Sequence, residues 1–70
     1  MADVLAPLAG KILAVLVEPG TKVEEDDELV VIEALKMENT VYAPGGGTVK
    51  EIKVTVGDSV EDGGLLLVIE

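Results

Sequence analysis

The chain has 70 residues, 49% of them hydrophobic, with one aromatic side chain (Tyr42) and a formal net charge of −9. Such a length supports one small domain with a limited core, and the acidic balance excludes nucleic-acid binding, which needs clustered Lys and Arg. No apolar run approaches the roughly 20 residues of a spanning helix, so direct membrane insertion is excluded too.

The N-terminus lacks the basic and apolar regions of a signal peptide, which makes cytoplasmic the expected localisation. With no Cys there is neither a disulfide framework nor a thiolate metal site. The residues that remain are rich in Val, Leu and Ile, the composition of a β-rich domain with an aliphatic core.

In chain order, the first signal is an internal repeat. Sliding the sequence by 37 positions lays Ala6-Pro7 on Ala43-Pro44, Gly10 on Gly47, Val17 on Val54 and Gly20 on Gly57. The match continues with Val23-Glu24 on Val60-Glu61, Leu29 on Leu66 and Val31-Ile32-Glu33 on Val68-Ile69-Glu70. Eleven of 28 aligned pairs are identical without a gap, which predicts two copies of one β-unit, 6–33 and 43–70, related by a quasi-twofold axis.

Each copy reads Ala-Pro, a Gly turn, a strand, a second Gly turn, a short Val-Glu segment and an apolar strand. In the second copy Val49, Ile52, Val54 and Val56 alternate with polar residues. The spacing of three between Val49 and Ile52 predicts a bulge at Lys50-Glu51. The repeat then turns Ile12, Val15 and Val17 inward and Leu13 and Leu16 outward.

Gly20 and Gly57 fall at matching turns, each three residues before a Val (Val23, Val60), and predict a shared positive-φ geometry. Gly45-Gly46-Gly47 is expected to be a flexible turn between the copies. The acidic run Glu24-Glu25-Asp26-Asp27-Glu28 lacks the spacing of a calcium loop and is expected to be a solvated loop. No metal site is predicted.

The decisive stretch is Glu33-Ala34-Leu35-Lys36-Met37-Glu38. By propensity these are helix formers, but one or two turns of free helix are marginal in water. Strand-like runs flank the stretch: Leu29-Val30-Val31-Ile32 before it and Thr40-Val41-Tyr42 after it. They offer a tight hairpin with Lys36 at the tip, although the usual Gly, Asn or Asp of a two-residue turn is missing. Local rules often fail at functional sites.

Ala34-Leu35-Lys36-Met37 resembles the Ala-Met-Lys-Met signature of biotinyl (biotin carboxyl carrier) domains, with Leu35 where that family has Met. The likeness extends to Ala6-Pro7, Gly10, Gly20, Val23, Glu33, Pro44 and Gly47, which makes residues 1–70 a single biotinyl domain. It implies an all-β fold, a flattened barrel or sandwich of two four-stranded antiparallel sheets with the modified lysine on a β-hairpin turn. It further implies that a biotin protein ligase joins biotin to the Lys36 amine, with Glu33, Ala34, Leu35, Met37 and Glu38 flanking the attachment site. The implied partners are biotin carboxylase and carboxyltransferase or decarboxylase subunits, between which the biotin arm carries carboxylate. Leu and Met are close in volume, so modification is expected to tolerate Leu35.

The related lipoyl domain, carrier of 2-oxo acid dehydrogenase-type complexes, shares the fold. Its usual motif is Asp-Lys-Ala, where this chain has Leu35 and Met37 around the lysine. No catalytic residue is expected: the chain has no His, no Cys and a single serine, Ser59, leaving neither a general base of the usual kind nor an activated nucleophile.

Overall fold

The computed structural model describes residues 2–70; Met1, counted in the predicted domain, lies outside them. Eight strands and no helix are assigned among these residues: β1 (Ala2–Leu5), β2 (Gly10–Val15), β3 (Lys22–Val23), β4 (Glu28–Ala34), β5 (Met37–Tyr42), β6 (Gly47–Ile52), β7 (Ser59–Val60) and β8 (Leu65–Ile69). They form two four-stranded antiparallel sheets, in the orders β1-β8-β6-β3 and β5-β4-β2-β7, as the resemblance implied.

Residues 37 apart in sequence hold equivalent places. Ile32 pairs with Asn39 across β4 and β5, and Ile69 pairs with Ala2 across β8 and β1. The short strands cross between halves: Lys22 pairs with Thr48 and Ser59 with Lys11. The turn bonds cross in the same way. Gly20 N–H donates to the Val49 carbonyl at 2.7 Å and Gly57 N–H to the Ile12 carbonyl at 2.9 Å. Neither half can therefore complete its own ladder, and backbone groups left unpaired in the interior are costly.

A single aliphatic core lies between the sheets. Ile12, Leu29, Val30, Ile32, Leu66 and Leu67 are at most 1% exposed, and no polar or charged side chain is buried among the described residues. In so small a chain the interior is filled by side chains, and packing is continuous from Val4 to Ile69.

The bulge falls where the spacing placed it, between Val49 and Glu51, and recurs between Ile12 and Ala14 in the first half. Lys50 and Leu13 are thus the extra residues. Leu16 faces outward and is half exposed, while Leu13 is partly covered. Val15 and Val17 pack against the core beside the buried Ile12.

Past the end of β6 at Ile52, Val54 is still buried, whereas Val56, next to the Gly57 turn, is 64% exposed. One expectation needs correction: the glycine triplet is not simply a loose connection. Gly47 opens β6, and a Cβ there would lie 2.6 Å from Ile69 Cγ2 and 2.7 Å from the Glu70 carbonyl oxygen. Gly47 is a close-approach glycine, and Gly10, its counterpart, packs against Ile32 and the Glu33 carbonyl in the same way.

Candidate functional site

The β4–β5 hairpin presents the candidate lysine. Ala34 pairs with Met37, so Leu35 and Lys36 alone make the connection. Their φ angles are +50° and +66°, the left-handed pair that a type I′ turn requires at both central positions. A residue with a Cβ loses roughly 1–2 kcal/mol in this conformation. The twist match to the flanking strands and six cross-strand pairs from Glu28–Tyr42 to Ala34–Met37 hold the turn nonetheless. Helix propensity loses to this register.

The turn lifts an apolar residue and a cation into solvent together. Leu35 is 97% exposed and Met37 66%, while Ala34 is partly covered and Lys36 exposed. The Lys36 amine has no hydrogen bond or ion pair among the described residues. Glu33 and Glu38 are also exposed and sit directly opposite each other across the hairpin. Lys11 pairs with Glu33 from the other side.

The N- and C-terminal strands occupy the place that the hairpin holds in the other half. Where β4 and β5 are joined by Leu35-Lys36, their counterparts β8 and β1 are unjoined, with Ala2 beside Ile69. Lys36 therefore has no repeat-related counterpart among the described residues.

The family described as Biotin-requiring enzyme matches residues 2–69. The chain belongs to that family. A biotin carboxyl carrier protein of acetyl-CoA carboxylase from Solanum lycopersicum is 47% identical over 60 residues, covering 86% of each protein. A pyruvate carboxylase from Bacillus subtilis is 46% identical over 69 residues, covering 99% of this chain but 6% of that enzyme. Among solved structures, the urea carboxylase of Kluyveromyces lactis superposes with a TM-score of 0.93 at 33% identity, covering 99% of this chain and 6% of that one. The chain spans less than a tenth of the large carboxylases it matches. These likenesses favour the biotin carrier over the lipoyl alternative.

Two features of this biotin carrier fold escaped sequence reasoning. Tyr42, in an apolar strand, is 53% exposed. Asp26 has φ +70° where the second half has Gly63 at +84°, so only the repeat alignment of Asp26 with Gly63 could have flagged it.

Proposed function

We propose that Lys36 is the residue to which a biotin protein ligase attaches biotin, and that the domain then shuttles carboxylate for a biotin-dependent carboxylase. One observation carries the reading. The lysine stands at the tip of a two-residue turn, its amine unpaired among the described residues and its neighbours Leu35 and Met37 open to solvent.

The exposed amine fits the carboxyl-bearing side chain of biotin, since amide formation needs only a nucleophilic nitrogen with room around it. Lys36 Nζ gives up a proton and attacks the acyl carbon of biotinyl-adenylate; the new amide forms as AMP leaves. Taking that proton falls to the ligase, because no base among the described residues is paired with the Lys36 amine. The amide carries no charge, so the domain becomes one unit more negative than −9. When bound, biotin supplies a ureido nitrogen that takes up and releases carboxylate.

The chain itself holds the arm and leaves the chemistry to others, a reading supported by its lack of His and Cys. The partners proposed are the biotin carboxylase and carboxyltransferase sites of the parent carboxylase, in keeping with relatives such as pyruvate carboxylase. Tethering raises the local concentration of biotin at both sites to the order of millimolar. Leu35 and Met37 would meet those sites with adaptable apolar surface.

The test is intact mass after incubation with a biotin protein ligase, ATP and biotin. One biotinyl group is expected on the native chain and none on Lys36→Ala. A gain that persists in Lys36→Ala would move the site to Lys11, Lys22, Lys50 or Lys53 and defeat the reading.

A further inference from the structure

Away from the lysine, a groove of about 400 Å³ runs between the two sheets. It is built on the quasi-twofold relation. Val4 with Val41, Leu5 with Tyr42 and Pro7 with Pro44 all line it, and the members of each pair are 37 residues apart. The two valines are nearly buried and form its floor, whereas Leu5 and Tyr42 are 50% and 53% exposed. Its strands, β1 and β5, are the outer strands of their sheets, each paired on one side only. Edges of this kind accept an added strand unless they are covered.

Acid surrounds the groove on both sides. Asp26 N–H donates to the Ala43 carbonyl at 2.9 Å and Ala43 N–H to the Asp27 carbonyl at 2.8 Å, bringing the Glu24-to-Glu28 loop beside Tyr42 and Pro44. In the other half Gly63 N–H donates to the Ala6 carbonyl and Ala6 N–H to the Gly64 carbonyl, both at 2.8 Å. That places Glu61 and Asp62 beside Leu5 and Pro7. Asp3 adds a further carboxylate to the lining. None of the five lysines falls in β1, β5 or either acidic loop.

We propose that this groove binds an extended peptide segment whose apolar side chains are flanked by lysines or arginines. Such a segment pairs its main chain with the free edge of β1 or β5, covers Leu5 and Tyr42, and sets its cations against the two acidic loops. A second copy of the domain is a poor occupant, because it would press like-charged loops together. Thr40, the lining residue nearest the hairpin tip, is four residues from Lys36, or about 13 Å along a strand. An occupied groove therefore leaves the lysine accessible.

The experiment is an amide-shift titration of the ¹⁵N-labelled chain with three synthetic peptides. Their sequences are Lys-Lys-Val-Thr-Val-Ile-Lys-Lys, the same core with Glu at all four ends, and Lys-Lys-Ser-Gly-Ser-Gly-Lys-Lys. Only the first is expected to give saturable shifts, confined to β1, β5 and the acidic loops, and weakening roughly tenfold when salt rises from about 0.05 M to about 0.5 M. Leu5→Ser with Tyr42→Ser should abolish them. Glu25→Lys with Glu61→Lys, at exposed positions away from the core, should reduce them with the fold intact. An equal response to the Ser-Gly peptide would reduce the effect to general electrostatics and overturn the proposal, as would no saturable shift. Shifts that depend on domain concentration without peptide would assign the groove to self-association and overturn it too.

Discussion

Glu33 and Glu38 face each other across the hairpin, one pair in from the Ala34–Met37 pair that closes on Lys36. Like charges directly opposite on a sheet are destabilising, and only Glu33 has a lysine, Lys11, on its other flank. Replacing Glu38 by Lys should raise stability by roughly 0.2–1 kcal/mol at low ionic strength, with a smaller gain in salt. Urea unfolding at two salt concentrations reads this directly. A variant that is less stable at low salt would mean the two carboxylates do not oppose each other in solution.

The tip stores a second cost. Leu35 has φ +50° and almost no packing to lose, being 97% exposed. Leu35→Asn, with a residue that tolerates the left-handed region, should therefore gain about 1 kcal/mol and raise Tm by about 4–8 °C. If the proposed carrier role is right, the same change should slow transfer at the partner sites that meet the apolar tip. A stabler domain with unchanged carboxylation would show that Leu35 is dispensable to the partners.

These two costs explain what was and was not legible in the sequence. The repeat, the bulge at Lys50 and the matching Gly20 and Gly57 turns could be read because each rests on spacing or on a residue with one conformational use. The Leu35-Lys36 turn could not be read from propensity, since a helix-forming sextet is overruled by the pairing of β4 with β5. The role of Gly47 was hidden for a different reason: close approach to Ile69 is a tertiary fact, and the neighbouring Gly45 and Gly46 made flexibility the simpler reading. The groove depends on two edge strands meeting across the quasi-twofold axis, which no local pattern encodes.

Gly10 and Gly47 offer a controlled comparison, because the same backbone approach serves different ends of the molecule. A Cβ on Gly10 would press on Ile32 and the Glu33 carbonyl at the root of the lysine hairpin, and one on Gly47 on Ile69 and the Glu70 carbonyl. Each change to Ala should cost about 1–3 kcal/mol through overpacking. Initial biotinylation rates, measured well below Tm, should fall for Gly10→Ala and stay near native for Gly47→Ala. Equal losses would mean the hairpin is insensitive to its root.

Among the described residues, one carboxylate is held below its ordinary value by a specific partner. The Lys53 ammonium donates a 2.7 Å hydrogen bond to Glu51 Oε1, and this bond, reinforced by the charge of Lys53, holds the Glu51 carboxyl below its ordinary value. A carboxylate lowered in the folded state contributes stability above its unfolded pKa, and loses it as pH falls through the folded value. Lys53→Ala should move the Glu51 titration upward when side-chain carboxyl shifts are followed by NMR. Both groups are exposed, so global stability near pH 7 should barely change. An unmoved titration would place the cause elsewhere.

The unjoined strand ends provide the most demanding check on the repeat. Ile69 and Ala2 pair as Ile32 and Asn39 do, and the 37-residue offset leaves four positions between Glu70 and Met1 to match Ala34-Leu35-Lys36-Met37. Joining Glu70 to Met1 through an added Ala-Leu-Lys-Met would therefore supply the missing turn and give a closed chain with two lysine hairpins. The unfolded state of a closed chain has less freedom to lose, so Tm should rise. If the ligase reads the turn and its flanking strands, intact mass should show two biotinyl groups, and Lys36→Ala in the closed chain should retain one. Addition of a single group, lost completely with Lys36→Ala, would mean that ligase recognition extends beyond what the repeat reproduces, with Glu38, replaced by Met1 at the new turn, as the first residue to examine.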